Sequence, residues 1–286
     1  MSAVSPQAGA QARLAIIAGS GRFPFEVAQE ARRQGVWVAA VGLSGWVDPS
    51  LAAHVDHYEE LAVGELGKLI QRLRDQAIVR AVMVGKVTKG ILFDGRVSFD
   101  PETLAILSKV KDYSVNGLLG AVAARLGECG ITLLDSAVYL QDAICREGVL
   151  TRRGPTPEEQ ADIRFGFKLA RAMAEWDVGQ SVVVKRSVVA AVEAMEGTDA
   201  AIRRAYALAG KELVVVKTAS AKQDRRFDLP VIGPDTLRTA RESGVSCIAM
   251  EAGATVLLSR VEIVREADEA GMCLIGVRPD TDEKTA

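Results

Sequence analysis

A chain of 286 residues, 49% hydrophobic and 25% charged, is long enough for about two domains that each bury a core, and its composition excludes a disordered, collagenous or low-complexity scaffold. Thirty-five basic against 37 acidic side chains leave a net charge of −2, which supplies no overall basic field for a nucleic-acid backbone. The longest apolar stretches, such as residues 36–43, fall far short of the roughly 20 residues of a membrane-spanning helix.

Residues 1–12 carry no Lys or Arg and no apolar core; they are expected to be a frayed tail rather than a secretory signal, with the cytosol as default. Residues 13–18 (RLAIIA) read as a strand ending in Gly19-Ser20-Gly21, and residues 24–34 follow with helical spacing, stopped by Gly35. Residues 36–43 are a second buried run, 63–75 a second helix, and 81–84 a third strand ending at Gly85-Lys86. This alternation predicts a parallel, Rossmann-like sheet over residues 13–147, with ligands at the carboxyl ends of its strands. Helical spacing returns over 118–126, and 131–134 reads as one more strand.

Residues 148–157 (GVLTRRGPTP) hold two glycines, two prolines and two arginines, and are expected to be the linker between domains. Residues 158–176 read as a helix with acidic residues in its first turn. Two β-branched runs, 181–184 and 188–192, flank Lys185-Arg186-Ser187 as a hairpin. Residues 213–217, 247–250 and 273–277 add strands, which makes residues 158–280 a second, mixed α/β domain. The cysteines Cys129, Cys145, Cys247 and Cys273 form no CxxC pair and read as reduced core thiols.

Gly19-Ser20-Gly21-Arg22-Phe23-Pro24 approaches a dinucleotide fingerprint, but Pro24 replaces the third glycine and no acid ends the second strand. What survives is a small-residue turn at a helix N-terminus, with Arg22 beside it, that suits an anion as readily as it suits a plain tight turn. Gly85-Lys86-Val87-Thr88-Lys89-Gly90 leaves the third strand on the same edge and lacks Walker A spacing. His54 and His57 are three apart without a third zinc ligand nearby, and read as a surface pair. No GxSxG elbow accompanies them.

The dense cluster of chemistry lies in the second half. Gln180 precedes the hairpin; Glu193, Glu196, Thr198 and Asp199 follow it; then come Lys217, Lys222, Asp224, Arg225 and Asp228. Hard divalent cations prefer oxygen ligands, and Mg²⁺ commonly takes one or two carboxylates plus phosphate oxygens. Interleaved lysines and arginines suit the charge that develops in phosphate transfer. A metal-free network of salt bridges is the alternative. Thr198 or Asp199 is expected to cap a helix over 200–209, and Pro230 predicts a loop or extended segment that re-aims Asp224 and Asp228.

Residues 17–24 (IAGSGRFP), 177–180 (DVGQ), 192–194 (VEA) with 196–199 (EGTD), and 223–226 (QDRR) with 228–230 (DLP) and 232–233 (IG) resemble the LpxI family, the UDP-2,3-diacylglucosamine pyrophosphatases of lipid A synthesis. The likeness covers nearly the whole chain after the tail and keeps the order of the blocks. An acidic pair that the family pattern places near 114–117 is absent here, and no role is carried over from it. The resemblance implies hydrolysis of a diphosphate bond with Mg²⁺, or Mn²⁺, releasing UMP and 2,3-diacylglucosamine 1-phosphate (lipid X). It further implies two domains with the substrate held between them, and peripheral association with the cytoplasmic face of the inner membrane; a homo-oligomer is left open.

Within these matching blocks, Asp224 is expected to ligate Mg²⁺ or to position the attacking water. Asp228, Glu193, Glu196 and Asp199 are further metal ligands or supports, and Lys217, Lys222 and Arg225 are catalytic cations. Gly19, Ser20, Gly21, Arg22, Lys86, Gln180 and Thr198 are expected to contact substrate. A nicotinamide-dependent oxidoreductase using Gly19–Gly21, and a nucleotide-sugar binding protein without catalysis, stand as alternatives.

Overall fold

Apolar runs bracketed by glycine become buried parallel strands in this protein. The computed structural model describes residues 11–87, 97–110, 115–220 and 223–278. Described residues up to Tyr139 belong to one compact unit and those from Leu140 onward to a second.

The first unit contains β1 (Arg13–Ala18), α1 (Phe23–Arg33), β2 (Trp37–Leu43), β3 (His57–Leu61), α2 (Leu66–Asp75), β4 (Arg80–Val84), α3 (Pro101–Leu107), α4 (Val115–Glu128) and β5 (Thr132–Leu133). Its five strands pair in the order β3-β2-β1-β4-β5, all parallel, as the alternation predicts. Nearly every residue of β1 and β2 is buried, as strands covered on both faces require. One strand escapes the sequence reading: β3 is HYEEL, a polar segment. It lies at the sheet edge, where charge blunts edge pairing, so it lacks the apolar signature of its neighbours. His54 ends a 3-10 turn and meets the Phe25 ring edge-on at 5.3 Å, while His57 opens β3.

The second unit contains β6 (Gly148–Val149), α5 (Pro157–Glu175), β7 (Ser181–Lys185), β8 (Val188–Val192), α6 (Thr198–Ala209), β9 (Leu213–Lys217), β10 (Val231–Ile232), α7 (Pro234–Glu242), β11 (Val245–Glu251), β12 (Val256–Leu257), α8 (Arg260–Glu269) and β13 (Cys273–Val277). Its main sheet runs β6-β13-β11-β9-β7-β8. Strands β9, β11 and β13 are parallel, while β6 and β7 run antiparallel to their partners. The pleat sorts the core into two layers. Val214 and Val216 join Ile163, Phe167 and Ala170 of α5 on one face, and Leu213 and Val215 join Ile202, Leu237 and Ile263 of the remaining helices on the other. Cys145, Cys247 and Cys273 are free and buried in these layers.

The segment expected as a linker is built into this unit. Val149 and Gly148 pair with Ile275 and Gly276, and Leu274 donates its amide to the Thr151 hydroxyl at 3.0 Å. Gly276 permits the approach: a Cβ there would lie 1.9 Å from the Arg146 carbonyl oxygen. The passage between units falls earlier, at Tyr139–Leu140, because turn-forming composition does not distinguish a linker from a strap that hydrogen-bonds to a sheet edge.

Arg153 on this strap grips both oxygens of Glu159, at 2.8 and 2.9 Å, and donates to the carbonyls of Gly271 and Ser246. Glu159 also closes a capping box with Thr156 at the start of α5. Burial pushes the Glu159 carboxyl up, but hydrogen bonds from Arg153, Ser246 and the Thr156 amide pull it down to about 2 from its ordinary 4.5. Glu159→Gln is expected to lower the stability of this unit by about 2 kcal/mol at neutral pH, the scale of a hydrogen bond to a charged group. With the folded value below the unfolded one, that contribution is present above pH 4.5 and is lost as pH falls toward 2. Urea unfolding of both proteins checks this: the gap should narrow by pH 3, and an undiminished gap would contradict it.

Candidate active site

In the first unit, the sheet order reverses between β1 and β4, the place where open parallel sheets collect ligands. The two glycine turns meet there. Ser20 and Lys86 exchange backbone hydrogen bonds of 3.0 and 2.9 Å, and the Ser20 hydroxyl also donates to the Lys86 carbonyl at 3.0 Å. A Cβ on Gly19 would lie 2.7 Å from the Lys86 carbonyl oxygen, and one on Gly85 would lie 2.6 Å from the Gly19 carbonyl carbon, so both positions need glycine for close approach. This bridge occupies the Ser20 amide and hydroxyl. Arg22 and Lys86 bring positive charge to this turn, while in the first turn of α1 Pro24 has no N–H and the Phe25 amide donates to the Arg22 carbonyl at 3.1 Å. Arg22 lies over the Phe25 ring at 6.0 Å. Thr88, Lys89 and Gly90 lie outside the described residues.

In the second unit, the carboxyl ends of β8, β9 and β11 and the amino end of β7 share one sheet edge, because Ser181 pairs with Lys217 and Lys217 with Met250. Lys217 is 4% exposed. Its Nζ donates to Ser181 Oγ and Thr198 Oγ1, both at 2.9 Å, and lies 3.6 Å from Glu193 Oε2. The Thr198 hydroxyl in turn donates to Glu193 Oε1 at 2.9 Å. Burial pushes the Glu193 carboxyl up, but the Lys217 charge and hydrogen bonds from Ser181, Thr198 and the Gln180 amide outweigh it, holding the carboxyl below its usual range. Gly179 makes room for this acid: a Cβ there would lie 2.2 Å from the Glu193 carbonyl oxygen. Lys217 thus points inward and fixes Glu193 and Thr198.

The capping expectation is corrected here. Gly197, at φ +82°, is the N-cap of α6 without a side-chain cap. The Thr198 side chain goes to Glu193, and Asp199 accepts a 2.7 Å hydrogen bond from Thr236 of α7. A partner outside the helix takes the place of the local cap in both cases: Glu193 and Lys217 for Thr198, Thr236 for Asp199. Glu196 pairs with Arg204 at 2.5 Å, apart from the Lys217 network.

The segment after β9 folds back as a short turn rather than a helix, as Pro230 predicts. The Asp224 carbonyl accepts from the amides of Phe227 and Asp228, at 3.2 and 3.0 Å. Arg226 grips both Asp224 oxygens, with its Nε 2.9 Å from Oδ1 and its Nη2 2.5 Å from Oδ2. These hydrogen bonds are the main reason the Asp224 carboxyl lies below its ordinary value, ahead of the opposing effect of burial. Gln180 donates to Asp228 Oδ1 at 2.8 Å, and the Gln223 side chain donates to the Asp228 carbonyl. Arg225 sits in this turn; Lys222 lies outside the described residues.

The acids are therefore held by cations, hydroxyls and the Gln180 amide, not by one another, and among the described residues no three His, Cys, Asp or Glu side chains group closely enough to cage a metal. Asp224, ionised and 29% exposed, is itself gripped on both oxygens by Arg226; with its sequence neighbour Asp228 it could offer one or two carboxylates to a Mg²⁺ completed by phosphate oxygens and water only by giving up part of that grip. Glu193, Glu196 and Asp199 are already engaged by Lys217, Arg204 and Thr236. Three participants escape sequence reading. Ser181 and Thr218 are ordinary polar residues at strand ends, and Glu251 carries only the weak signal of an acid closing an apolar strand.

Fold and site together define a two-unit α/β protein with paired glycine turns at the switch point of a parallel sheet in one unit and a lysine–carboxylate cluster at a sheet edge in the other. Residues 13–143 match the LpxI N-terminal domain and residues 146–275 the LpxI C-terminal domain; the chain belongs to the LpxI family. It is 31% identical over 281 residues to the UDP-2,3-diacylglucosamine pyrophosphatase LpxI of Caulobacter vibrioides, covering 93% of this chain and 98% of that protein. Among solved structures, AnUbiX (PadA1) in complex with FMN and dimethylallyl pyrophosphate aligns with 43% of this chain and 94% of its own, at 11% identity and a TM-score of 0.18, too low to bear on the fold.

Proposed function

We propose that this protein hydrolyses the diphosphate bond of UDP-2,3-diacylglucosamine in lipid A synthesis, releasing UMP and lipid X. The reading is carried by the match of both units, in order, to LpxI domains, and the Caulobacter relative bears the name of that activity. Asp224 and Asp228 would hold a Mg²⁺, which when bound neutralises charge on the diphosphate and lowers the pKa of bound water. Arg226 keeps the Asp224 carboxylate ionised and oriented. Arg225 and Lys222, its neighbours in sequence, supply positive charge to the diphosphate, and the positive N-terminal end of α6 adds to it. Lys217 acts from within, holding Glu193 and Thr198 in one geometry. Gln180 restrains Asp228 through their 2.8 Å hydrogen bond. In the first unit, Gly19, Gly21, Arg22 and Lys86 are proposed to meet an anionic group.

Among the described residues no helix is long and apolar enough to cross a membrane, so the diacylated substrate is proposed to be met at the inner-membrane surface by peripheral contact. The test is incubation of the protein with UDP-2,3-diacylglucosamine and Mg²⁺, with and without chelator, following UMP and lipid X. Release of both products, abolished by chelator and restored by Mg²⁺, is expected. Binding without release would favour a nucleotide-sugar binding protein.

A further inference from the structure

We infer that Glu251 is a positioning residue for this site, a reading that rests on the activity proposed above. Glu251 closes β11, an otherwise uncharged strand (VSCIAME). Because Met250 pairs with Lys217, Glu251 lies beside Thr218, the first residue past the buried lysine. Its Oε2 accepts the Thr218 hydroxyl and the Ala219 amide, the latter at 3.0 Å, while its Oε1 stands 3.7 Å from Arg171 Nη2 on α5. Thr218 is fully buried and donates its amide to the Gln180 carbonyl at 2.9 Å, and the Gln180 side chain holds Asp228. One carboxylate thus fixes the first two residues of the segment that carries Asp224 and Asp228, and links them to Gln180.

Two physical points give this grip its consequence. Hydrogen bonds to an ionised acceptor are about twice as strong as neutral ones, so Glu251 is a firm anchor where the chain leaves the sheet. Misplacing a reacting group by about 1 Å can cost on the order of 100-fold in rate, so a loosened anchor is read out at Asp224 without Glu251 touching substrate.

The experiment compares the full-length protein with Glu251→Ala, Glu251→Gln and Thr218→Val. The Ala variant is expected to lower kcat about 100-fold, with KM within about threefold, and to speed amide exchange of residues 218–220 in deuterated water. Glutamine keeps an acceptor oxygen and is expected to return kcat to within about tenfold of the parent, with slow exchange restored. Thr218→Val keeps the shape, removes one donor and is expected to lower kcat in the same direction, which decides the matter should the Ala variant not fold. An Ala variant with parental kcat, or a Gln variant as impaired as Ala with unchanged exchange, overturns the inference. If the parent releases no UMP, the proposed activity falls by itself, while the exchange measurement still decides whether Glu251 anchors the segment.

Discussion

Replacing Lys217 by methionine is expected to destabilise the second unit by about 3–5 kcal/mol, the cost of leaving one partner of a buried ion pair uncompensated. Lys217 is almost fully buried, and its ammonium is what offsets the burial of Glu193. Without it, burial is opposed only by the Ser181, Thr198 and Gln180 hydrogen bonds, and the Glu193 carboxyl is expected to rise above its ordinary 4.5. The sign of the pH dependence then follows: a folded value raised above the unfolded one makes the variant relatively more stable in mild acid, and that advantage is lost as pH rises through the raised value. Urea unfolding at pH 5 and pH 7.5 measures it. Adding Glu193→Gln should recover much of the loss, since an unpaired hydroxyl–amide network costs less than an unpaired charge. If the single variant is as stable as the parent at both pH values, the Lys217–Glu193 pair does not hold this edge together.

Asp224→Asn is expected to lower turnover at least about 100-fold while leaving the fold intact, as loss of an electrostatic or metal-holding group would. The change preserves shape and removes the charge that Arg226 grips. The pair is partly exposed, 29% for Asp224 and 39% for Arg226, so its own contribution to stability is about 1 kcal/mol at most, and thermal unfolding should shift little. In the parent, the Asp224 carboxyl takes up a proton only below its ordinary 3.8, so the part of turnover that depends on its charge should persist down to that range and fade below it. Arg226→Lys keeps the charge but loses the two-oxygen grip, and an intermediate loss of about tenfold is expected. Metal-dependent turnover that is unchanged in Asp224→Asn would remove this residue from the mechanism.

Legibility of the fold followed burial. Strands β1, β9 and β13, apolar apart from Arg13 and Lys217 at the ends of the first two, match the sequence reading to the residue, because a strand covered on both faces writes its environment into nearly every position. Strand β3 does not, since an edge strand is stable with His, Tyr and Glu facing water. The strap at 148–153 failed for a different reason: its pairing with β13 depends on Gly276, well over 100 residues away, and no local pattern reports that. At the site, the acids and cations were visible as residue types near strand ends, but their partners were not. Thr198 and Asp199 look like caps locally, yet Glu193 and Thr236 claim them.

The order of strands and helices, the glycine turns that end β1 and β4, the excess of acids and cations after the hairpin and the family blocks were all set by the linear sequence, because each depends on neighbours within a few residues or on the type of residue alone, whereas the close approach of Gly19 to Gly85 was not. Which acid answers which cation was decided only by tertiary structure. Lys217 finds Ser181 and Glu251 finds Thr218 across more than 30 residues because parallel and antiparallel strands bring their ends to one sheet edge. There, buried charges must be satisfied by whatever polar group the register places beside them.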